Sequence, residues 1–275
     1  MSIWLQHDRE NLPHPNTATS KSCIYCGTMM HRLSDNEDTL SYERLPFAEP
    51  IHGVRICPRC GWWNSSECYR DSHGEVREND PFATGVFNFI VGAASVLRQL
   101  NLKNCSEPLI EVASYLVARY EERFDVNPRL WELTIGEVFR GAGYSVVVTA
   151  YQKDGGIDCI LHDARGHMTG VQVKRTRNKI SVSQIREFCG SLYFGDLHAG
   201  IFVTTSSFTK DAESATGALS IRGMPIELYD AEKLYSALSL INHPVPMDYS
   251  EFKQIYGIPK IHRLETGHEL CHNNE

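Results

Sequence analysis

The fold of this chain is decided by two stretches, Gly156-Ile157-Asp158-Cys159-Ile160-Leu161 and Gly170-Val171-Gln172-Val173-Lys174-Arg175. Both are rich in valine and isoleucine and are bounded by turn residues, so each predicts a β-strand. Side chains alternate between the two faces of a strand, which places Gln172 and Lys174 on one face. If the two strands pair, Asp158 joins them at one end of a sheet. A carboxylate, an amide oxygen and an ammonium then converge on one spot.

These three groups are suited to a divalent cation, a water and a phosphate, which together are the equipment of a nuclease. Mg2+ prefers oxygen ligands and usually takes one or two carboxylates. Asp158 is the first carboxylate, and the Gln172 side chain and the Val173 backbone carbonyl offer neutral oxygens. Lys174 could orient the attacking water or stabilise the phosphate. The sequence therefore predicts a Mg2+ or Mn2+ site at this end of the sheet.

Helix and strand patterns surround these two stretches in the order α-β-β-β-α-β-α-β-α. They cover 128–140, 144–150, 157–161, 168–175, a helix capped near Ser181 or Ser183 that ends at about 193, 199–204, 209–219, 225–228 and 230–238. This order predicts an α/β domain in which helices flank a mixed sheet. The first helix offers a second carboxylate for the site, Glu132, with Glu137 as the alternative.

The ordered motifs of this region resemble a known family. They are Trp131-Glu132, Gly143-Tyr144, Asp154-Gly155-Gly156-Ile157-Asp158, Gln172-Val173-Lys174-Arg175, Arg186-Glu187-Phe188-Cys189-Gly190 and Thr204-Thr205-Ser206-Ser207-Phe208-Thr209 followed by Ala212. Together they resemble the Mrr-type restriction endonuclease catalytic domain, a branch of the PD-(D/E)XK nucleases with Gln where most of that superfamily has Glu. The resemblance covers residues 127–240, and Trp131 stands where the family often has Phe.

The resemblance implies a restriction-endonuclease-like fold and a divalent-metal-dependent DNA endonuclease that restricts foreign or modified DNA in a prokaryote. It implies Asp158 and Gln172 at the metal, Lys174 as the catalytic lysine and Glu132 as the acid of the first helix. Two rival functions stay open. One is a non-catalytic DNA-binding module, since Gln172 lacks the charge that Glu would bring to a metal. The other is a subunit of a multi-protein defence complex.

Positive charge is concentrated in one segment of an acidic chain. The net charge is −7, whereas residues 166–186 contain five lysines and arginines and no acidic residue. Binding to a phosphate backbone follows the local potential, so this segment predicts contacts with double-stranded DNA. The candidates are Arg175, Arg177, Lys179 and, at a strand-to-helix junction, the hydroxyl of Thr205. The alternatives are a solvated loop for the basic residues and helix capping for Thr205.

Four of the nine cysteines form two matching pairs. Each pair has two residues between its cysteines and a glycine directly after it: Cys23 with Cys26, and Cys57 with Cys60. Two such turns predict a closed tetrahedral S4 site for structural Zn2+, in a zinc ribbon. The other five cysteines are scattered, which is typical of reduced thiols. Trp62-Trp63 could stack on bases, but packing beneath the ribbon is the favoured interpretation.

The predicted organisation has five parts: a loose lead-in at 1–20, the zinc ribbon at 21–78, a helical connector at 79–125, the nuclease domain at 126–240 and a tail without an assigned role at 241–275. The connector is expected to contain helices at 81–101 and 107–123. No signal-peptide pattern is present, and the apolar run Val86–Leu97 is short for a membrane span, so a cytoplasmic chain without a membrane partner is expected. A homodimer would be required to cut both strands, and the ribbon could dock a protein partner.

Overall fold

The computed structural model describes residues 3–6, 20–33, 51–71, 87–149, 155–240, 246, 248–257 and 262–266. The chain divides into two compact units. The central unit comprises Gln99–Asn242, and the terminal unit comprises Ser2–Arg98 together with His243–Glu275. None of the helices in the described ranges combines the length and the apolar character that crossing a bilayer requires.

In chain order, the described strands and helices are β1 Trp4–Gln6, β2 His31–Arg32, β3 Ile51–Ile56, β4 Trp63–Asp71, β5 Phe87–Leu97, α1 Leu109–Ala118, a 3-10 helix Tyr120–Phe124, α2 Pro128–Gly141, β6 Ser145–Val148, β7 Cys159–His162, β8 Met168–Lys174, α3 Val182–Phe194, β9 Gly200–Thr204, α4 Lys210–Ile221, β10 Ile226–Tyr229, α5 Ala231–Ser239, α6 Tyr249–Tyr256 and β11 His262–Thr266.

The central unit contains a five-stranded mixed sheet with the strand order β10-β9-β8-β7-β6. β8, β9 and β10 run parallel, and β6 and β7 continue the sheet from β8 in antiparallel fashion. Val171 in β8 is opposite Cys159 on one side and Ile201 on the other. The predicted mixed sheet and its element order from residue 128 onward are confirmed.

Helices cover both faces of this sheet. On one face α3 and α4 enclose an apolar cluster of Ile157, Ile180, Ile185, Phe188, Leu192, Leu197, Phe202, Phe208, Ala212 and Ile226. On the other face α2 lies close to the sheet, because a Cβ added at Gly136 would be 3.1 Å from Val148. Burial on both faces explains why the strands read as nearly continuous apolar runs.

The helices of the central unit begin at the residues that the capping rules favour. The Asn127 side chain accepts a hydrogen bond from Arg129 N at the start of α2, with proline at the next position. Ser181, and not Ser183, caps α3 in a reciprocal capping box with Gln184. Asp230 caps α5. Each side chain satisfies amide groups that the helix itself cannot pair.

The terminal unit contains an antiparallel sheet with the order β1-β5-β4-β3-β2, and β11 also pairs with β5. One face of this sheet packs against α6 through Leu33, Val54, Ile56, Trp63, Ala93, Tyr249 and Phe252. The ring of Trp63 contacts Phe252 edge-on, with centroids 5.2 Å apart. The terminal unit is therefore larger than the expected minimal ribbon.

The helix expected at 81–101 is wrong from Phe87 onward, because Phe87–Leu97 is the strand β5. This strand pairs with β4 along one edge and with β1 and β11 in succession along the other. A strand in the interior of a sheet needs no polar alternation, so its apolar run looks like a buried helix. The expected second helix at 107–123 is found as α1 and the 3-10 helix.

Both ends of the chain also differ from expectation. The lead-in at 1–20 contains β1, and the tail at 241–275 contributes α6 and β11 to the terminal unit. Those elements pair with partners that are distant along the chain, which periodicity within a short window cannot show. The expected connector is divided between the two units at Arg98 and Gln99. Residues 7–19, 34–50 and 72–86 lie outside the described residues.

Candidate active site and metal centre

Asp158 lies directly before β7, at the end of the central sheet where β6 and β8 end. Its backbone N–H donates to Val171 O at 2.8 Å, and its Oδ2 accepts from Val173 N at 2.6 Å. The residue is only 9% exposed. The β8 backbone therefore holds this carboxylate at the level of Gln172, as the predicted strand pairing requires.

Gln172 is partly buried on the face of β8 that α3 covers. The turn before β7 brings Gly156 close to it, since a Cβ at Gly156 would be 3.3 Å from Gln172 Nε2 and 2.9 Å from Ser191 Oγ. Gly156 has φ +88°, which L side chains rarely adopt. Glycine is thus required here both by the backbone conformation and by the close approach to the Gln172 amide.

Lys174 is the last residue of β8 and is exposed. Its backbone carbonyl accepts hydrogen bonds from Thr204 Oγ1 at 3.1 Å and from Thr205 N at 3.3 Å. The backbone beneath the lysine is therefore fixed by β9, while its side chain extends to solvent. Lys174 and Gln172 are two residues apart on one strand, so both side chains project from the same face.

Glu132 belongs to the same end of the sheet through a chain of contacts. Arg129 Nη1 is 2.7 Å from Glu132 Oε2 and donates to Thr149 O at 2.9 Å. Thr149 N in turn donates to Asp158 O at 2.9 Å. The Glu132 side chain is 13% exposed, and its charge is already balanced by Arg129.

Glu137, the alternative acid, lies elsewhere. It forms an ion pair with Arg140 at 2.7 Å and lines a cavity of about 540 Å³ together with Tyr229 and Leu240. Five residues along a helix correspond to an axial rise of about 7.5 Å. The structure therefore places Glu132, and not Glu137, with the groups around Asp158.

The basic loop after β8 is fastened to the 3-10 helix. Arg175 Nη1 donates to Phe124 O, and the Arg177 guanidinium lies 4.1 Å from the centroid of the Phe124 ring. Lys179 is exposed. Two of the three predicted DNA contacts are thus organised around Phe124, a residue that the sequence analysis did not single out.

Thr205 has a different place from the predicted one. It is 1% exposed, and its hydroxyl accepts from Thr176 N and donates to Thr176 O, both at 2.9 Å. Its hydroxyl is thus used within the protein, where it holds the basic loop in position and does not face solvent. Helix capping is performed by Thr209, whose side chain accepts from Ala212 N.

The oxygen groups around Asp158 fit a hard divalent cation. A carboxylate, an amide side chain and a backbone carbonyl are ligand types that Mg2+ and Mn2+ accept, with waters completing the shell. Among the described residues, Asp158 is the carboxylate that the β8 backbone holds there. In the part of the chain that the structure describes, the group of three or more Asp, Glu, His or Cys side chains whose ligand atoms lie together is Cys23, Cys26, Cys57 and Cys60. The Asp158 site would therefore rely on neutral oxygens and water.

Those four cysteines form a cluster in the terminal unit that fits zinc. Their Sγ atoms all lie within 4.8 Å of one another, with Cys23 to Cys60 at 3.5 Å and Cys26 to Cys57 at 3.4 Å. A tetrahedron with Zn–S bonds of about 2.3 Å has S–S edges of about 3.8 Å. Hydrogen bonding to Cys23 and the other sulfurs, together with burial, raises the pKa of Cys60. Four thiolates in this volume therefore need a cation to offset their charge.

The two cysteine turns have the same backbone geometry. Gly27 N donates to Cys23 O and Gly61 N donates to Cys57 O, both at 2.9 Å. The two glycines have φ +70° and +79°, respectively, as a turn folded around a metal-binding sulfur requires. Trp4 Nε1 donates to Cys60 O at 2.6 Å and so closes the second turn.

Trp62 and Trp63 are 0% and 1% exposed, respectively. Trp62 Nε1 donates to Ser95 O at 2.8 Å, and Trp63 belongs to the apolar cluster beneath α6. Both rings are therefore packed inside the terminal unit, in line with the favoured interpretation, and stacking of either ring on a base is not compatible with its burial.

Comparison with known proteins agrees with the motifs. Residues 125–238 match the family model Mrr_cat, described as a restriction endonuclease. The type IV methyl-directed restriction enzyme EcoKMrr of Escherichia coli (strain K12) is 32% identical over 121 residues, which cover 42% of this chain and 38% of that enzyme. The resemblance to the Mrr-type domain is confirmed.

Two solved structures are also similar. The DNA modification-dependent restriction endonuclease AspBHI matches with a TM-score of 0.35 and 19% identity, covering 58% of this chain and 43% of that chain. The MspJI restriction endonuclease in complex with a 27-mer oligonucleotide matches with a TM-score of 0.35 and 16% identity, covering 60% and 42%. This chain spans less than half the length of EcoKMrr, AspBHI and MspJI.

Proposed function

We propose that the Mrr-type restriction endonuclease domain at residues 125–238 makes this chain a divalent-metal-dependent DNA endonuclease that restricts foreign or modified DNA. One observation carries the proposal for the site. The Asp158 carboxylate accepts a hydrogen bond from Val173 N at 2.6 Å, which holds it between Gln172 and Lys174 at the end of the sheet. The same end carries Glu132 through its ion pair with Arg129.

Each of these groups has a part in phosphodiester hydrolysis. Asp158, the Gln172 side-chain carbonyl and the Val173 carbonyl would hold Mg2+ or Mn2+, which stabilises charge on the phosphate and makes a bound water more acidic. The Lys174 ammonium would contact the scissile phosphate, where it offsets the charge that develops during attack. Arg129 would hold Glu132 at the edge of the site, so that its carboxylate orients a water.

A non-catalytic DNA-binding module is the second candidate. Gln172 brings no charge, and Glu132 is already neutralised by Arg129 at 2.7 Å, so Asp158 is the remaining negative ligand of the proposed set. A site with a single negative ligand binds Mg2+ weakly. The same fold would then hold double-stranded DNA through Arg175, Arg177 and Lys179 without cutting it.

We assign the four-cysteine cluster of the terminal unit to structural Zn2+, because four thiolates leave no open position for a substrate. The terminal unit would then serve target recognition or dock a protein partner in a defence complex. Cleavage of both DNA strands would require a homodimer, since one site cuts one strand. A cytoplasmic location is part of the same proposal.

Cleavage of plasmid DNA tests the catalytic proposal directly. Methylated and unmethylated plasmids are incubated with the wild type in Mg2+, in Mn2+ and in EDTA, beside the Lys174→Ala variant. Nicking or linearisation should require the metal, and Lys174→Ala should slow it at least about 10²–10³-fold, because charge stabilisation at the phosphate is lost. Asp158→Ala should have the same effect while the circular dichroism spectrum is kept.

Lys210→Ala is the matched control, because Lys210 is an exposed lysine at the start of α4. It should cleave like the wild type. Full activity in Lys174→Ala or Asp158→Ala would show that the site is wrongly assigned. DNA binding by a wild type that never cleaves would select the non-catalytic module.

A further inference from the structure

Three arginines meet at Phe124, the last residue of the 3-10 helix. The guanidinium carbons of Arg123 and Arg177 each lie 4.1 Å from the centroid of the Phe124 ring. Arg175 Nη1 donates to the Phe124 backbone carbonyl. One residue thus holds two guanidiniums with its ring and a third with its carbonyl.

The segment that carries Arg123 and Phe124 is fixed from both sides. The Tyr120 hydroxyl donates to Ala231 O, and Trp131 Nε1 donates to Arg123 O at 2.8 Å. Arg123 Nε also donates to Thr205 O at 3.0 Å. The three cations therefore occupy defined positions and are not free side chains on a solvated loop.

The segment that carries Arg175 and Arg177 is tied down as well. The Thr205 hydroxyl pairs with both backbone groups of Thr176 at 2.9 Å, and Ser206 Oγ donates to Arg177 O at 3.1 Å. The Thr205 backbone carbonyl also accepts a hydrogen bond from Arg123 Nε, so Thr205 connects the two segments. The loop after β8 and the 3-10 helix thus form one structure around Phe124.

Within the described part of the chain, none of these three arginines has an acidic partner within 4.0 Å. The acids of the 3-10 helix are directed elsewhere, since Glu122 accepts from the Tyr115 hydroxyl at 2.9 Å and Glu121 is 3.7 Å from Arg119. Three like charges held around one residue repel one another, and an anion bound among them removes that repulsion. A planar guanidinium offers paired N–H groups that match the oxygens of a phosphate.

We infer that Arg123, Arg175 and Arg177 form one phosphate-binding subsite organised by Phe124, and that a DNA backbone phosphate near the scissile one occupies it. Arg177 is three positions after Lys174, so their Cα atoms are about 10 Å apart at most. That distance corresponds to about three nucleotides along one strand. The identity of the anion as DNA rests on the proposed function, whereas the subsite itself rests on the contacts of Phe124.

In this subsite Phe124 is a positioning residue. It does not contact the phosphate, but it orders two long side chains before DNA arrives, so that less conformational freedom is lost on binding. Phe124→Leu keeps an apolar side chain and removes the ring face, whereas Phe124→Tyr keeps the ring. Binding should therefore fall in the first variant and be retained in the second.

The test is binding of a fluorescein-labelled duplex, followed by anisotropy over a series of salt concentrations in buffer without added Mg2+ or Mn2+ and without a chelator, so that the zinc proposed for the cysteine cluster stays bound. Arg177→Ala should weaken binding about tenfold and reduce the slope of log K against log salt by about 1, as for one lost phosphate contact. Phe124→Leu should weaken binding about threefold to tenfold. Arg222→Ala, an exposed arginine at the end of α4, is the matched control and should leave both quantities unchanged.

The double variant Phe124→Leu/Arg177→Ala separates positioning from general damage. If Phe124 acts through the arginines, the double variant loses less affinity than the product of the two single losses. Purely multiplicative losses, or a normal salt slope in Arg177→Ala, would overturn the inference. Matching thermal midpoints in all variants confirm that folding is not what changed.

Two further arms distinguish the outcomes. Inorganic phosphate, added at constant ionic strength, should displace the duplex from the wild type more than chloride does, and this excess should disappear in Arg177→Ala, because both anions would use the same subsite. Binding of inorganic phosphate by the wild type together with unchanged duplex binding in Arg177→Ala would assign the subsite to free phosphate and overturn its assignment to DNA. Because metal-dependent cleavage needs the Mg2+ or Mn2+ that this binding assay omits, failure of the nuclease proposal leaves the binding result intact. Cleavage with unchanged binding in Arg177→Ala would show the reverse, that the nuclease stands and the subsite does not.

Discussion

The two units of this chain are stabilised in different ways. In the central unit, helices bury both faces of a five-stranded sheet, and the large side chains Phe188, Phe202 and Leu192 are 0–1% exposed. In the terminal unit one sheet face is covered by the short helix α6, and four sulfurs gather beside it. A metal that joins distant turns of the terminal unit would add to the stability that this packing supplies.

The chain connectivity of the two units differs as well. Neighbouring strands of the central sheet follow one another within residues 145–229, with α3 and α4 as the crossovers between the parallel strands. In the terminal unit, β5 receives β1 from one end of the described chain and β11 from the other. Joining such distant segments costs more loop entropy. The four-cysteine cluster joins Cys23 and Cys26 to Cys57 and Cys60, and a bound metal would offset part of that cost.

The largest effect is expected from Cys57→Ser. With one thiolate lost the metal site is incomplete, and structural zinc contributes on the order of 10 kcal/mol to folding, as much as the whole stability of a small unit. The terminal unit should unfold and bound zinc should fall, while the central unit remains folded. Tryptophan fluorescence reports this selectively, because Trp4, Trp62 and Trp63 lie in the terminal unit and Trp131 in the central unit.

Cys105→Ser is the control for that experiment, since Cys105 is an exposed thiol of the central unit. It should change neither the zinc content measured by elemental analysis nor the fluorescence. An unchanged zinc content in Cys57→Ser would show that the cysteine cluster is not what binds the zinc. Loss of hydrogen-exchange protection in β8 and β9 would show that the central unit depends on the terminal one.

A smaller effect is expected in the central unit from Gly200→Ala. The new Cβ would lie 2.6 Å from Leu192 Cδ1 and 2.7 Å from Phe188 Cε1, beneath α3. Leu192 and Phe188 must shift to make room for the new Cβ, and such overpacking should lower the free energy of unfolding by about 1–3 kcal/mol. Hydrogen exchange of the β8 and β9 amides measures the change in this unit alone.

Gly217→Ala is the matched substitution in the same unit. Gly217 lies inside α4 and no heavy atom outside the helix is within 4 Å of its Cβ position. Alanine should therefore stabilise the helix by about 0.5–1 kcal/mol. If Gly200→Ala lowers the free energy of unfolding and Gly217→Ala raises it, the result supports tight packing of α3 on the sheet. Stabilisation by both would mean that α3 is loosely packed on the sheet.

Sequence reasoning was accurate where chain neighbours are also neighbours in space. Asn127-Pro128 marks the start of α2 and Ser181 that of α3, because capping depends on groups within a few residues. The pairing of β7 with β8 follows from one turn, and it brings Asp158 to Val173 as expected. These parts depend on local rules that a single sequence contains.

The errors concern contacts between distant segments. Phe87–Leu97 was expected to be helical, and its strand partners β1 and β11 lie far away along the chain. The burial of Thr205 follows from its contact with Thr176 across two strands. Arg129 is the second residue of α2, and the local sequence gives no signal of the Thr149 carbonyl to which it donates a hydrogen bond. Such contacts depend on tertiary packing, which overrides local pattern.

The smallest effect concerns the turn between β7 and β8, at Asp163. Hydrogen bonds from the His167 ring and from the amides of His167 and Arg165 lower the pKa of Asp163 from 3.8 to about 2. Because this pKa is lower in the folded state, the contribution of Asp163 to stability is present above pH 3.8 and is lost as the pH falls towards about 2. Asp163→Asn should therefore unfold more easily than the wild type at neutral pH, with a gap that narrows in acid. Hydrogen exchange of the β7 and β8 amides measures this difference in unfolding free energy, which is small because the turn is open to solvent.

A difference that stays constant with pH would assign the role of Asp163 to turn geometry. An effect of the substitution on the terminal unit would contradict the independence of the two units.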